Sequence, residues 1–363
     1  MISWPFTLAV SHSLAENTAT ANIVLALSDD SGRVGYGEGV PRGYVTGEKV
    51  EGSLAALQGR LGPLLLDQEI EPDQALGWLG RTAGAPALDA CPAAACALET
   101  ALLDLAGQHL DLPISALLSD RPPAPVTYSA VVPLLPPELL PTILAQVKAL
   151  GLEQVKVKVE ARGGRGLVAK ARDALGPGAR LRVDANGAWS PGEAVEQING
   201  LASLGVEAVE QPMAAGDPQG LARIKAAVEP MLIADESLCT RADAQALIAA
   251  DAVGCFNLRL SKCGGPARTL ELMGMAAEAG LKCMLGCQVG ELGILSALGR
   301  HFASVHPNLA YLEGSLTRFF LDRDLIAQDL TFGPQGHGPV LTGPGLGVTV
   351  LPEALEPGLQ FTL

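Results

Sequence analysis

Three carboxylates, Asp184, Glu210 and Asp235, follow one another at steps of 26 and 25 residues, each at the end of a short apolar run. Lys158 lies 26 residues before Asp184, and Arg259 lies 24 residues after Asp235. One strand-plus-helix unit has about that length, so the step puts all five side chains at one height on the ends of five consecutive strands. Three acids without a histidine or thiol among them make a hard oxygen set, suited to Mg²⁺ or Mn²⁺ more than to zinc. They would leave roughly half of an octahedral shell open to substrate oxygens and water. Taken singly, each acid reads as a helix cap or a turn residue. Their common register is what speaks for a metal.

Lys156 and Lys158 stand two apart in VKVKV, so on a strand both point to the same face. Among valines that face is the interior, and two buried ammonium groups are costly unless they serve something. A neighbouring cation lowers a lysine pKa, which would suit Lys158 to act as a neutral base. The plain alternative is an edge strand with solvated lysines. Arg259 stays protonated and can clamp a carboxylate or stabilise negative charge, but is a poor base. Asn186 and Glu236 are candidates for orienting the ligands and lysines from behind. Lys262, three residues past Arg259, falls in the following loop.

The elements that must position these residues are short apolar strands alternating with amphipathic helices. The strands read as VTYSAVV, QVKVKVE, LRVDANG, VEAVEQP, MLIADES, CFNLRLS, KCMLGCQ and AYLEG, with helices such as PGEAVEQINGLASL, TRADAQALIAA and PARTLELMGMAAEAG between them. Eight such strands fit a closed α/β barrel better than an open sheet, and the strand ends then form the catalytic face. Before about residue 100 the pattern differs. TANIVLALSDDSGRVGYGEG reads as two strands around a turn at Asp30–Gly32, and SLAALQGRLGPLLL and AACALETALLDLAGQHL read as helices. This α+β stretch ends at Pro122, Pro123 and Pro125.

The chain has 363 residues, 25 Lys plus Arg against 39 Asp plus Glu, and a formal net charge of −14. An acidic chain without a basic block argues against nucleic acid or an anionic membrane as partner. With 48% hydrophobic and 18% charged residues, it can bury a large core. No apolar run approaches the roughly 18 residues of a membrane helix, and MISWPFTLAV lacks the features of a signal peptide. The seven cysteines are irregularly spaced and contain no CxxC pair, which reads as reduced thiols in a cytoplasmic protein. No GxxxxGK[ST], GxSxG or HExxH signature occurs.

The order KVK, VDANGAW, VEQP, ADES and NLRLSKCGG resembles the enolase superfamily, specifically its muconate lactonizing enzyme subgroup. GYGEGVPRGYVTGE resembles the capping-domain loops, and PGLGV near the C-terminus also fits. The resemblance implies a modified (β/α)₇β TIM-type barrel with an α+β capping domain. The capping domain would be residues 1–121, helped by the segment 325–363, and the barrel 122–324. It implies a divalent metal, usually Mg²⁺, on Asp184, Glu210 and Asp235. The shared first step would be removal by Lys158, with Lys156 beside it, of the proton α to a substrate carboxylate, giving an enediolate held by the metal.

Three positions depart from the subgroup pattern. Arg259 stands where a lysine is usual, and Lys262 matches the second basic residue, which is not the usual catalytic one. The Asp-x-Asp pair shared by dipeptide epimerases aligns with Tyr311 and Glu313. The acid expected after the seventh strand is displaced to the vicinity of Gly290 and Glu291. With an arginine facing Lys158, the sequence favours one-lysine reactions, namely cycloisomerisation, its reverse or β-elimination, over racemisation or epimerisation of an amino acid or dipeptide. A non-catalytic carboxylate-binding barrel is the third reading. Gly39 to Glu48 is the expected lid, with Arg42 and Tyr44 as substrate contacts alongside Glu291 and Glu313. Arg42 could equally form an exposed salt bridge. The expected partners are a small carboxylate substrate and further copies of the chain, with no nucleic acid and no membrane.

Overall fold

The computed structural model describes residues 1–12, 15–66, 68–82, 89–134 and 136–355. At the N-terminus β1 (Pro5–His12) pairs antiparallel with β2 (Ala15–Ala19), and β3 (Ile23–Ser28) with β4 (Val34–Gly39). The β3–β4 hairpin is closed by Asp29, whose carboxylate accepts from the backbone of Ser31 and Arg33. The first pair had no expected counterpart in the sequence. Helix α1 (Pro92–Leu110) lies directly on β4. Gly35, Gly37 and Gly39 allow this contact. A Cβ added at Gly37 would stand 1.8 Å from the Ala97 carbonyl oxygen, and the flanking glycines face Ala101 and Ala93 in the same way. Alanines four apart on the helix thus meet glycines two apart on the strand, which explains the GYGEG run.

Seven parallel strands follow in spatial order: β5 (Ala130–Val132), β6 (Gln154–Lys158), β7 (Arg180–Asp184), β8 (Val206–Glu210), β9 (Met231–Ala234), β10 (Cys255–Leu258) and β11 (Lys282–Leu285). The eighth expected strand, AYLEG, is a bridging segment and not a regular strand. Its backbone exchanges hydrogen bonds with Leu285, and the Leu312 carbonyl accepts from Ser129 N, so it joins the last strand to the first. The outer helices are α2 (Leu140–Ala149), α3 (Gly164–Leu175), α4 (Pro191–Ala202), α5 (Pro218–Lys225), α6 (Arg241–Ala249), α7 (Pro266–Glu278) and α8 (Gly293–Val305). Ser190 with Glu193 forms a capping box on α4, Thr240 with Asp243 forms another on α6, and Asp217 caps α5. This architecture is a TIM-type barrel with a separate N-terminal α+β layer.

Buried acids fasten that layer to the barrel. Glu38 on β4 accepts from the backbone of Leu292 and Leu295 at the start of α8, and Glu99 on α1 accepts from Ala267 N at the start of α7. Asp104 accepts from Leu346 N, which brings in the C-terminal segment. Unfilled N–H groups at helix starts are natural partners for such acids. Burial nonetheless pushes Glu38 and Glu99 up to about 8. A carboxyl whose folded pKa lies above its unfolded value contributes most in acid. That contribution declines as pH rises from the unfolded value towards 8. Glu99→Gln should therefore raise the melting temperature relative to wild type more at pH 9 than at pH 5. An equal difference at both pH values would contradict the assignment.

Candidate active site

Strand pairing fixes the site's geometry. Lys158 pairs with Asp184 and Asp184 pairs with Glu210, so three neighbouring strands end in line. Asp235 lies two residues beyond Ile233, which pairs with Glu210. All three carboxylates are fully buried. They sit beneath a cleft that opens to solvent and is lined by Lys156, Lys158, Asn186, Glu236, Arg259, Gln288, Glu291 and Glu313. Phe6, Tyr44, Val131, Pro133, Leu316, Phe320 and Leu321 add an apolar side.

Each acid is met by a cation. Lys158 Nζ donates to Asp184 Oδ2 at 2.9 Å and to Asn186 Oδ1 at 2.6 Å. Lys156 Nζ stands 2.7 Å from Glu313, 3.3 Å from Glu210 and 3.5 Å from Asp184. Arg259 pairs with Asp235 and lies 3.5 Å from Glu210. Lys262 donates to Asp235 Oδ1 at 2.9 Å and to the Asp235 and Asn257 carbonyls. It lies in a one-turn helix, Leu260–Cys263, not a loop, and does not line the cleft.

These pairings decide the charges. Burial opposes ionisation of Asp184, but Lys158 and Lys156 hold its carboxyl well below the usual range. Asp235 is likewise lowered against burial, by Arg259 and Lys262. Glu210 is pushed up to about 8 by burial, only partly countered by Lys156. Lys156 is raised: burial disfavours its charge, but Glu210, Glu313 and Asp184 outweigh it. Arg259 is raised well above its ordinary value by Asp235 and Glu210 in the same way. Lys156 and Arg259 are therefore fixed cations.

Among the described residues no three acids, histidines or cysteines stand in metal-binding geometry. Ammonium and guanidinium groups take up the carboxylate oxygens instead. The donor set itself suits a hard divalent cation, being three buried carboxylates of one register, with a further buried acceptor, Glu236 Oε2, that has no partner.

The other expected residues are placed as follows. Asn186, at φ 43°, accepts from Lys158 and donates to Glu236, linking lysine to acid. Burial, Asp235 and Asp184 push Glu236 up to about 7. Arg42 is not an exposed ion pair, and it does not line the cleft. It is buried, with its guanidinium on the Pro41 and Val289 carbonyls, and so ties the 39–48 loop to the loop after β11. Tyr44 does line the cleft. Tyr311 does not, and its hydroxyl donates to Glu207. Glu313 faces the cleft but is engaged by Arg182 and Lys156. Glu291 is pushed up to about 7 by burial.

Four contributors escaped the sequence reading. Arg182 is fully buried, holds Glu313 and lies 4.4 Å over the Tyr311 ring. Asn257 donates to Glu210 at 2.8 Å. Gln211 accepts from the backbone of Asp235 and Ser237, fixing the turn that carries Asp235. Gln288 accepts from Arg259 at 3.1 Å. Arg182 and Asn257 were discoverable, since each lies two residues before a site residue and so shares its face.

Comparison with known proteins agrees with the fold. A family model described as enolase C-terminal domain-like matches residues 141–354, and one described as mandelate racemase / muconate lactonizing enzyme, N-terminal domain, matches residues 2–119. A hydrophobic dipeptide epimerase of Enterococcus faecalis is 30% identical over 298 residues, covering 79% of this chain and 80% of that protein. An N-succinyl-L-Arg/Lys racemase of Bacillus cereus is 26% identical over 341 residues, covering 92% and 89%. The crystal structure of the dipeptide epimerase from Enterococcus faecalis with Mg and L-Leu-L-Tyr superposes with a TM-score of 0.87 at 27% identity, covering 96% and 97% of the two chains. The chain belongs to the enolase superfamily, in its mandelate racemase/muconate lactonizing enzyme family.

Proposed function

We propose that this chain is a divalent-metal-dependent racemase or epimerase that removes and returns the proton α to the carboxylate of a small amino-acid derivative. The observation that carries the reading is the alignment of Lys158, Asp184 and Glu210 on adjacent strand ends beneath one cleft. The sequence alone ranked cycloisomerisation or elimination first. The similarity to an epimerase and a racemase puts 1,1-proton transfer ahead.

Asp184, Glu210 and Asp235 would hold Mg²⁺ or Mn²⁺, whose charge would favour the substrate carboxylate as negative charge develops on it. Lys158 takes the α-proton on its face, and Asn186 keeps its Nζ in place. Lys156 stays charged and supplies a fixed positive field. Arg259, on the other side of the carboxylates, stabilises the enediolate but shuttles protons poorly. The proton for the opposite face is then delivered by water in the open cleft, while the proton taken by Lys158 returns to solvent, so epimerisation is slower than exchange on the Lys158 face.

Arg259 also supports a second reading, a one-lysine cycloisomerisation or β-elimination. Chiral chromatography of N-acyl amino acids and dipeptides incubated with the protein and Mg²⁺ separates the two. Appearance of the second stereoisomer supports the proposal. Its absence, with loss of a leaving group or ring closure, supports the second reading. We further propose that the protein is cytoplasmic and assembles with copies of itself. Among the described residues no helix is long and apolar enough to cross a membrane.

A further inference from the structure

Gln288 lies in the loop after β11, lines the cleft and is 2% exposed. Its Oε1 accepts from Arg259 Nη1 at 3.1 Å, whereas its Nε2 has no partner. The amide cannot be turned around without cost. An arginine has only donors, so the oxygen must face Arg259, and the NH₂ is the end left over. Arg259 is in turn fixed by Asp235 and Glu210. Arg259 Nε is also without a partner. This wall therefore presents buried donors with nothing to accept from them, a condition native proteins seldom leave uncorrected.

Glu313 is closed to a substrate ammonium. Glu313, the acid beyond the last strand, has one oxygen on Lys156 and the other on Arg182. A substrate ammonium would have to displace two buried cations to reach it. The donor wall stands apart from the acids of the cleft, and the partner that fits a neutral amide donor in an apolar-sided cleft is an uncharged carbonyl oxygen.

We propose that Gln288, oriented by Arg259, is a specificity residue whose Nε2 donates to an uncharged acyl or amide carbonyl of the substrate. This rests on the proposed reaction, because it takes the substrate to be an α-substituted carboxylate bound in this cleft. Gln288 acts on binding and takes no proton. Losing a donor that meets a buried acceptor weakens binding by roughly tenfold.

The test is calorimetric titration with Mg²⁺ present, using two ligands of one shape. N-acetyl-L-phenylalanine carries the carbonyl, and the matching enantiomer of 2-benzyl-4-methylpentanoate replaces the acetamido group by isobutyl. Leucine and methionine analogues of both extend the series. Wild type should bind the acetyl compounds more tightly, and Gln288→Met should weaken them roughly tenfold while leaving the isobutyl compounds unchanged. Gln288→Glu, which keeps an acceptor for Arg259 but loses the donor, should weaken the acetyl compounds in the same way. Equal loss for both ligand types would show that Gln288 only supports Arg259 and would overturn the proposal, as would no loss for either. Both outcomes leave the reaction class standing. Wild type that binds neither series would overturn the proposal and the substrate class of the proposed reaction together.

Discussion

Lys158→Ala is expected to abolish α-proton exchange while leaving the barrel folded. Lys158 is the one lysine of the cleft not clamped by several acids, since Lys156 sits among Glu313, Glu210 and Asp184. Removing a positioned base typically costs about 10²–10⁴-fold in rate. Asp184 would keep Lys156 at 3.5 Å, so no carboxylate is left without a cation. Lys156→Ala should behave differently. It strips one partner from Glu313 and the nearest lysine from Glu210, and breaking such a buried pair costs about 3–5 kcal/mol of stability. Deuterium uptake and thermal melts of both variants check this. A Lys158→Ala protein that still exchanges at the wild-type rate would remove Lys158 from the reaction.

Asp235→Asn is expected to disable the metal site. Asp235 carries Arg259 on one oxygen and Lys262 on the other, and Gln211 holds its backbone. The variant keeps the shape of the turn but loses the charge. Affinity for Mn²⁺, followed by electron paramagnetic resonance, should fall by more than the roughly 10–100-fold that losing an outer hydrogen-bond partner costs. Epimer formation should fall with it. Unchanged Mn²⁺ affinity would mean that the three acids serve only to neutralise their cations.

The barrel was readable because its signal is repeated. Five consecutive strands carry a polar residue at or just past their ends, each about one unit-length after the last, and the pairing of Lys158, Asp184 and Glu210 is that arithmetic made physical. AYLEG was over-read for the same reason. Its alternation suits a strand, but it lies where the ring closes and forms one bridge, Leu285 with Leu312. Charge pairing was harder to see. Lys156 beside Lys158 suggested mutual repulsion, whereas three acids from other strands surround Lys156 and fix its charge. Arg42 and Glu313 look like substrate contacts by type and position. Their partners, the Val289 carbonyl and Arg182, lie hundreds of residues away or on an unsuspected interior position. Gln288 carries no motif at all, and only the orphaned Nε2 marks it.

The asymmetry between the Lys158 and Arg259 faces is the central claim, and the position of deuterium in recovered material tests it most directly. A substrate identified by the chiral screen is incubated in D₂O with Mg²⁺, and both stereoisomers are analysed early in the reaction by NMR and mass spectrometry. The isomer that presents its α-hydrogen to Lys158 should come back deuterated with its configuration retained, faster than its epimer forms. The opposite isomer should exchange in place far more slowly. Equal in-place exchange of both isomers, or epimer formation without it, would contradict the account and require a second base as mobile as Lys158.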